Sequence, residues 1–165
     1  MGQDDTKHNL LFISKYPEII HEFTDAMKDR DIEIETAING IEAAAKIKKK
    51  NYDIVITGLS LEGYNGEQII TYLNKTAPST VCIIYTTTIS SAQLHFFINE
   101  RNVFRVFLRP VDFRGAFWEA LEEAYEYHAV QVKNEEDTGA RRQEQEKQER
   151  EIEIMDQRMR SQRQA

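Results

Sequence analysis

Residues Asp53 to Gly66 read DIVITGLSLEGYNG. Ile54 to Thr57 form a short run of apolar and β-branched residues, with no polar alternation to give one wet face, so they read as a strand buried on both sides. Gly58 ends the run, and a loop containing Gly63 follows. From Gly66 to Leu73 the spacing changes to that of a helix, with Ile69, Ile70 and Leu73 on one side. A buried strand passing through a glycine-bearing loop into an amphipathic helix is one βα unit.

The same unit repeats on both sides of it. Leu10 to Ser14 (LLFIS) is a short apolar strand, and Glu18 to Lys28 carries Ile19, Ile20, Phe23, Ala26 and Met27 at helical spacing. Pro17 suits the first turn of that helix, where its missing N–H costs nothing. Ile32 to Thr36 (IEIET) alternates apolar and charged residues, as expected of a strand near a sheet edge. Asn39-Gly40 is a turn. Ile41 to Lys50 is a helix whose basic last turn complements the negative end of its dipole. Downstream, Val81 to Thr86 (VCIIYT) is a strand rich in β-formers. Ser90-Ser91 caps a helix carrying Leu94, Phe97 and Ile98. Val103 to Leu108 (VFRVFL) is a last strand stopped by Pro110, and Phe113 to Tyr127 is an amphipathic helix holding the only tryptophan, Trp118.

Strands alternating with helices through short loops predict an α/β fold: a doubly wound, five-stranded parallel sheet with right-handed crossovers and helices on both faces. Such a sheet places its functional crevice outside the carboxyl ends of its strands. The residues to interrogate are therefore Ser14-Lys15, Thr57-Gly58, Thr86-Thr87 and Arg109-Pro110.

Composition narrows the function classes. The 165 residues carry 28 acids against 21 bases, a net charge of −7 that argues against a nucleic-acid surface. The single cysteine, Cys82, lies in an apolar run, which excludes a disulfide framework and suits a reducing, cytoplasmic setting. No apolar run approaches the roughly 18–20 residues of a membrane span, and the opening MGQDDTKHN carries no apolar signal region. His8, His21, His95 and His128 show no metal-ligand spacing, Gly-x-Ser-x-Gly is absent, and neither dinucleotide nor P-loop glycine spacing occurs. No cofactor, metal or enzyme activity is expected.

Three segments carry a family resemblance. YDIVITGLSLEGYNG (52–66), FLRPVD (107–112) and LLFISKYPEI (10–19) resemble the third strand and loop, the fifth-strand ending and the first strand and turn of the receiver domain of bacterial two-component response regulators. The likeness spans Asn9 to His128, roughly three quarters of the chain. It implies a (βα)5, flavodoxin-like receiver fold. It also implies what chemistry should be present: a phospho-accepting aspartate after the third strand, an acidic pair after the first to hold Mg²⁺, a hydroxyl after the fourth and a lysine after the fifth.

The matching positions depart from that pattern together. The acceptor position falls on Gly58, the acidic pair on Ser14 and Lys15, the hydroxyl on Thr86, and the lysine on Arg109, which keeps the charge but changes its geometry. The family's aromatic switch position falls on Val106, with Phe107 on the opposite face. Moving the third strand by one residue would bring Thr57 to the acceptor position, and no carboxylate follows until Glu62. The expectation is a pseudo-receiver without the phospho-acceptor. Lys15, Thr86 and Arg109 leave a crevice with an anion as its candidate ligand; the alternative is that Arg109 pairs with Asp53 or Asp112 or lies in solvent, with Lys15 snorkelling.

Such a module would work through contacts with a protein partner or with itself, as a homodimer. The resemblance directs attention to the face of the fourth helix, fifth strand and fifth helix, where Phe96, Arg101, Arg105 and Phe117 have the aromatic and arginine character of an interface core; the competing reading makes the phenylalanines, Phe117 among them, part of the domain core. The alternative is an atypical receiver that still takes a phosphoryl or ligand signal through an unusual residue, for instance a hydroxyl at Ser14, Thr57 or Ser60. Domain organisation reads as a flexible N-terminus over 1–8, a receiver-like domain over 9–130 and a charged helical tail over 131–165, with a break at Thr138-Gly139. Ile152, Met155 and Met159 fall at a/d spacing in that tail and are candidates for a dimerisation helix, while the preceding positions Gln145 and Gln148 are polar.

Overall fold

The computed structural model describes residues 8–164; the expected flexible N-terminus lies outside them except for His8, which opens the first strand. The elements are β1 (His8–Ile13), α1 (Pro17–Met27), β2 (Ile32–Ala37), α2 (Gly40–Lys49), β3 (Ile54–Thr57), α3 (Gly66–Thr76), β4 (Val81–Thr86), α4 (Ser91–Glu100), β5 (Val103–Leu108) and α5 (Ala116–Gln164). The strands form one parallel sheet in the order β2-β1-β3-β4-β5. The doubly wound fold is as expected, with the alternating β2 on one edge and the apolar β1 and β3 in the middle. Strand order reverses between β1 and β3, so the crevice opens above their carboxyl ends.

Local chemistry sets the helix starts. Pro17 opens α1. Asn39 accepts the Glu42 N–H at the start of α2. Asn65 with Gln68, and Ser90 with Gln93, close reciprocal capping boxes on α3 and α4. Two glycines are required by close approach: a Cβ at Gly66 would lie 2.2 Å from the Gly58 carbonyl oxygen, and one at Gly40 would collide with the Tyr64 backbone. Both hold the β3–α3 loop tightly against its neighbours.

The sheet separates two apolar clusters. On one side, Leu10, Phe12, Ile54 and Ile56 pack against Phe23 of α1, Phe113, and Phe117, Leu121 and Tyr125 of α5. The aromatic rings there stack or meet edge-on, Phe12 on Phe23 at 4.2 Å and Phe117 against Phe113 at 5.0 Å. On the other side, Leu11, Ile13, Val55 and Ile84 meet Ala43, Ile70, Leu73 and Phe97 from α2, α3 and α4. Cys82 is buried in this second cluster, and burial pushes its thiol up to about 12, leaving no thiolate near neutral pH.

The chain divides into two compact units, Met1–Ala129 and Val130–Ala165. The second is helical, with Ile152, Ile154, Met155 and Met159 all exposed. The break expected at Thr138-Gly139 does not occur: the helix continues through both residues. An isolated helical glycine costs only about 1 kcal/mol relative to alanine, and the Arg, Gln, Glu and Lys residues around it are good helix formers.

Candidate functional site

The carboxyl ends of β1, β3, β4 and β5 are held together by backbone hydrogen bonds. The Gly58 N–H donates to the Ile13 carbonyl at 3.1 Å, and the Arg109 N–H to the Thr86 carbonyl at 2.8 Å. These ends surround a cleft of about 80 Å³, lined by Ser14, Lys15, Tyr16, Gly58 to Leu61, Tyr85 to Thr87 and Arg109. All five positions singled out in the sequence, Ser14, Lys15, Gly58, Thr86 and Arg109, are therefore brought together.

The lining contains two cations, several hydroxyls and no carboxylate. Ser14 is buried, and its Oγ accepts the Tyr16 N–H at 3.2 Å. Thr57 is fully buried and its hydroxyl donates to the Gly58 carbonyl at 2.8 Å. Thr86 Oγ1 donates to the Thr88 carbonyl at 3.3 Å. Lys15 is exposed, its Nζ 3.5 Å from Ser60 Oγ and 5.3 Å from the centre of the Tyr16 ring. The Arg109 guanidinium lies over the same ring at 4.6 Å. Both cations thus lie against the same ring, each attracted by its quadrupole. Burial holds the Tyr85 phenol above its usual range even though Arg109 nearby favours the phenolate, so it is neutral and no base.

The expected pairing of Arg109 with Asp53 is ruled out by topology, since Asp53 precedes β3 at the opposite end of the sheet. There it accepts the Asn9 N–H at 3.3 Å and faces His128 Nε2 at 3.1 Å and His8 Nδ1 at 3.7 Å. Burial raises the Asp53 carboxyl, but the bonds from His128 and the Asn9 amide and the nearby imidazoles outweigh it, leaving the carboxyl below its ordinary range. Asp112 accepts the Arg114 N–H instead.

The interface candidates separate. Phe117 is fully buried in the aromatic cluster and is not a surface residue, because α5 turns that side of its first turns to the sheet. Phe96 is half-buried and covered by the Arg101 guanidinium at 4.7 Å, while Arg101 Nε donates to Thr71 Oγ1 at 3.2 Å. Arg105 is exposed, paired with Glu123 at 2.7 Å and stacked on Phe104. Leu94 and Ile98, one turn apart on α4, are each 40% exposed. Val106 packs on the α2–α3–α4 side and Phe107 against Phe117 on the other, as period two requires.

Sequence reasoning missed Tyr16, whose ring carries both cations, and the convergence of His8 and His128 on Asp53. Neither has a local signal, because both depend on which strand ends become neighbours. Among the described residues no group of three His, Cys, Asp or Glu is placed to hold a metal ion, and no helix is long and apolar enough to cross a membrane. A larger hollow of about 260 Å³ between α2 and α3, including Lys48, Tyr64 and Tyr72, lies away from the strand ends and gathers no reactive groups.

A family model described as the response regulator receiver domain matches residues 11–115. Among solved structures, the chain is similar to the signal receiver domain of an HD domain-containing protein from Pseudomonas fluorescens Pf-5, with 19% identity over 76% of this chain and 99% of that one and a TM-score of 0.71. It is also similar to a CheY-like response regulator receiver domain protein from Methanospirillum hungatei JF-1, at 18% identity over 76% and 99% and a TM-score of 0.68. An adenylate cyclase structure from Rhodopirellula baltica matches at 19% identity over 79% and 96%, with a TM-score of 0.72. At these identities the likeness is one of fold. No curated protein matches the sequence.

Proposed function

Because the chain belongs to the response regulator receiver domain family, we propose that it is a signal-transduction module of the pseudo-receiver kind, acting through protein contacts without aspartyl phosphorylation. The observation that carries this reading is the absence of any carboxylate from the lining of the strand-end cleft among the described residues. Forming an acyl phosphate requires a carboxylate oxygen to attack phosphorus while a divalent cation neutralises the phosphoryl oxygens. Gly58 has no side chain to attack with. The donor set does not fit Mg²⁺, which takes hard oxygen ligands with carboxylates among them: position 15 is an ammonium, and the hydroxyl at position 14 is engaged with a backbone N–H.

Signalling would then rest on association with a second copy of the chain through the α4–β5–α5 face. Leu94 and Ile98 supply exposed apolar area there, and Phe96, Arg101 and Arg105 flank it. Ile152, Met155 and Met159 of the second unit add a further apolar seam. The test is intact mass and sedimentation of the full chain with and without Mg²⁺ and acetyl phosphate. An unmodified mass and an association state indifferent to both reagents are expected, with Arg105→Glu shifting the chain toward monomer. A phosphoryl adduct would overturn the reading in favour of a receiver phosphorylated on an unusual residue.

A further inference from the structure

We propose that the hollow between α2 and α3 binds a small aromatic carboxylate, its acid group held by Lys48 and Gln68 and its ring by Tyr64 and Tyr72. The hollow lies away from the strand ends, so the site stands whether or not the strand-end cleft takes a phosphoryl group.

Its walls come from three segments. Ala44 and Lys48 sit one turn apart on α2, Gln68, Ile69 and Tyr72 lie within about one turn on α3, and Tyr64 stands in the loop before α3. That loop is pinned to the start of α2, because the Gly40 N–H donates to the Glu62 carbonyl at 2.9 Å and the Tyr64 backbone fills the place of a Cβ at Gly40. Between these fixed walls Ala44 contributes only a methyl group, which leaves the space of about 260 Å³ open. Ile69 is buried, whereas Tyr64 and Tyr72 are exposed, so two rings border the hollow with apolar area still in contact with water.

The polar groups around those rings are matched to an anion. No carboxylate lines the hollow. On the same helix Lys46 lies 3.9 Å from Glu42, and Lys50 joins Glu33 and Glu35. Lys48 is exposed and has no ion-pair partner among the described residues. Gln68 is oriented by the capping box of α3, where its Oε1 accepts the Asn65 N–H at 2.9 Å. That engages the acceptor of the amide and leaves Nε2, a donor only, for an external acceptor. A carboxylate, ionised at neutral pH, accepts from an ammonium and an amide together. Apolar walls with a few polar groups to fix orientation are the ordinary make-up of a small-molecule site. A bare inorganic anion would leave both rings wet, and an amine would be repelled by Lys48. The volume falls just below the roughly 300–1,000 Å³ of pockets for drug-sized ligands, which suits one ring with a short acid chain.

The experiment is a titration of the ¹⁵N-labelled full chain with sodium phenylacetate at low ionic strength, beside acetate, phenylacetamide and phenethylamine at matched ionic strength. Phenylacetate should give saturable amide shifts confined to residues 40–48 and 63–72. Acetate lacks the ring and phenylacetamide the charge, so each should bind about five- to tenfold more weakly, and phenethylamine should not bind. Lys48→Gln should weaken phenylacetate by a similar factor. Gln68→Glu retains the capping box, which glutamate closes equally well, but sets a carboxylate into the hollow and should abolish binding. Ala44→Leu removes no donor and fills the space, and it too should abolish binding. Circular-dichroism melts of each variant separate loss of binding from loss of fold. Shifts that do not saturate, that acetate or phenylacetamide reproduces at equal concentration, or that survive both Gln68→Glu and Ala44→Leu would overturn the site.

Discussion

Gly58→Asp tests the space and the charge of the cleft at once. A Cβ at position 58 would lie 3.7 Å from the Tyr85 carbonyl oxygen and 4.0 Å from Leu61 Cδ2, both ordinary contacts, and the backbone there is not in the left-handed region. Losing a glycine restricts the unfolded chain, a gain of about 0.4–1 kcal/mol where the native conformation suits the new residue. The new carboxylate would face Lys15 and Arg109, both in contact with water, so each pairing adds only about 0.2–1 kcal/mol. Together these predict a stabilisation of about 1–3 kcal/mol, a rise in melting temperature of about 2–12 °C for a chain of this size. The cations would hold the new carboxyl below its ordinary value of about 4. The electrostatic part of the gain is then present above that pH and lost as pH falls through the depressed value. Thermal melts of both proteins from pH 7 down to pH 3 measure this. No phosphoryl adduct should form with Mg²⁺, because positions 14 and 15 still supply no carboxylate. Gly66→Ala is the control: its Cβ would meet the Gly58 carbonyl at 2.2 Å, and a loss of about 2–3 kcal/mol or more is expected. Destabilisation by Gly58→Asp would refute the account of space, and a gain unchanged at low pH would refute the account of charge.

Phe117→Ala should cost about 3–5 kcal/mol in urea unfolding, as a fully buried aromatic, whereas Phe96→Ala, half-buried, should cost less than about half of that. His128→Ala removes a charge-assisted partner of Asp53 and should cost about 1–2 kcal/mol at neutral pH. Because the Asp53 carboxyl is held low in the folded chain, its contribution is complete above about pH 4 and disappears as pH falls through the lowered value. The difference between wild type and His128→Ala should therefore shrink in acid melts. Met155→Asp changes an exposed residue of the second unit and should leave the main thermal transition within about 0.5 kcal/mol, while weakening self-association in sedimentation.

Much of this molecule is legible from one-dimensional patterns. The apolar runs of β1 and β3, the alternation in Ile32 to Thr36 and the caps at Asn39 and Ser90 are local signals. Each is written within a few residues because backbone period and capping are short-range physics. That Ser14, Lys15 and Gly58 stand in the loops after β1 and β3 is readable in the same way, once the strands fix where the loops must be. The errors lie where local pattern underdetermines direction. Phe117 looks the same in sequence whether it faces solvent or the sheet, and only its packing against Phe23 of α1, Tyr85 of β4 and Phe107 of β5 buries it. Thr138-Gly139 reads as a stop, yet one glycine does not outweigh the helix formers on either side.

What tertiary structure alone decided is adjacency. Asp53 meets His128 and His8, and not Arg109, because a parallel sheet keeps all strand starts at one end and all strand ends at the other. Lys15 and Arg109, 94 positions apart in the chain, come to share the Tyr16 ring because β1 and β5 both end at the same rim. The residue types in the cleft belong to the sequence; their convergence into one cationic site belongs to the strand order.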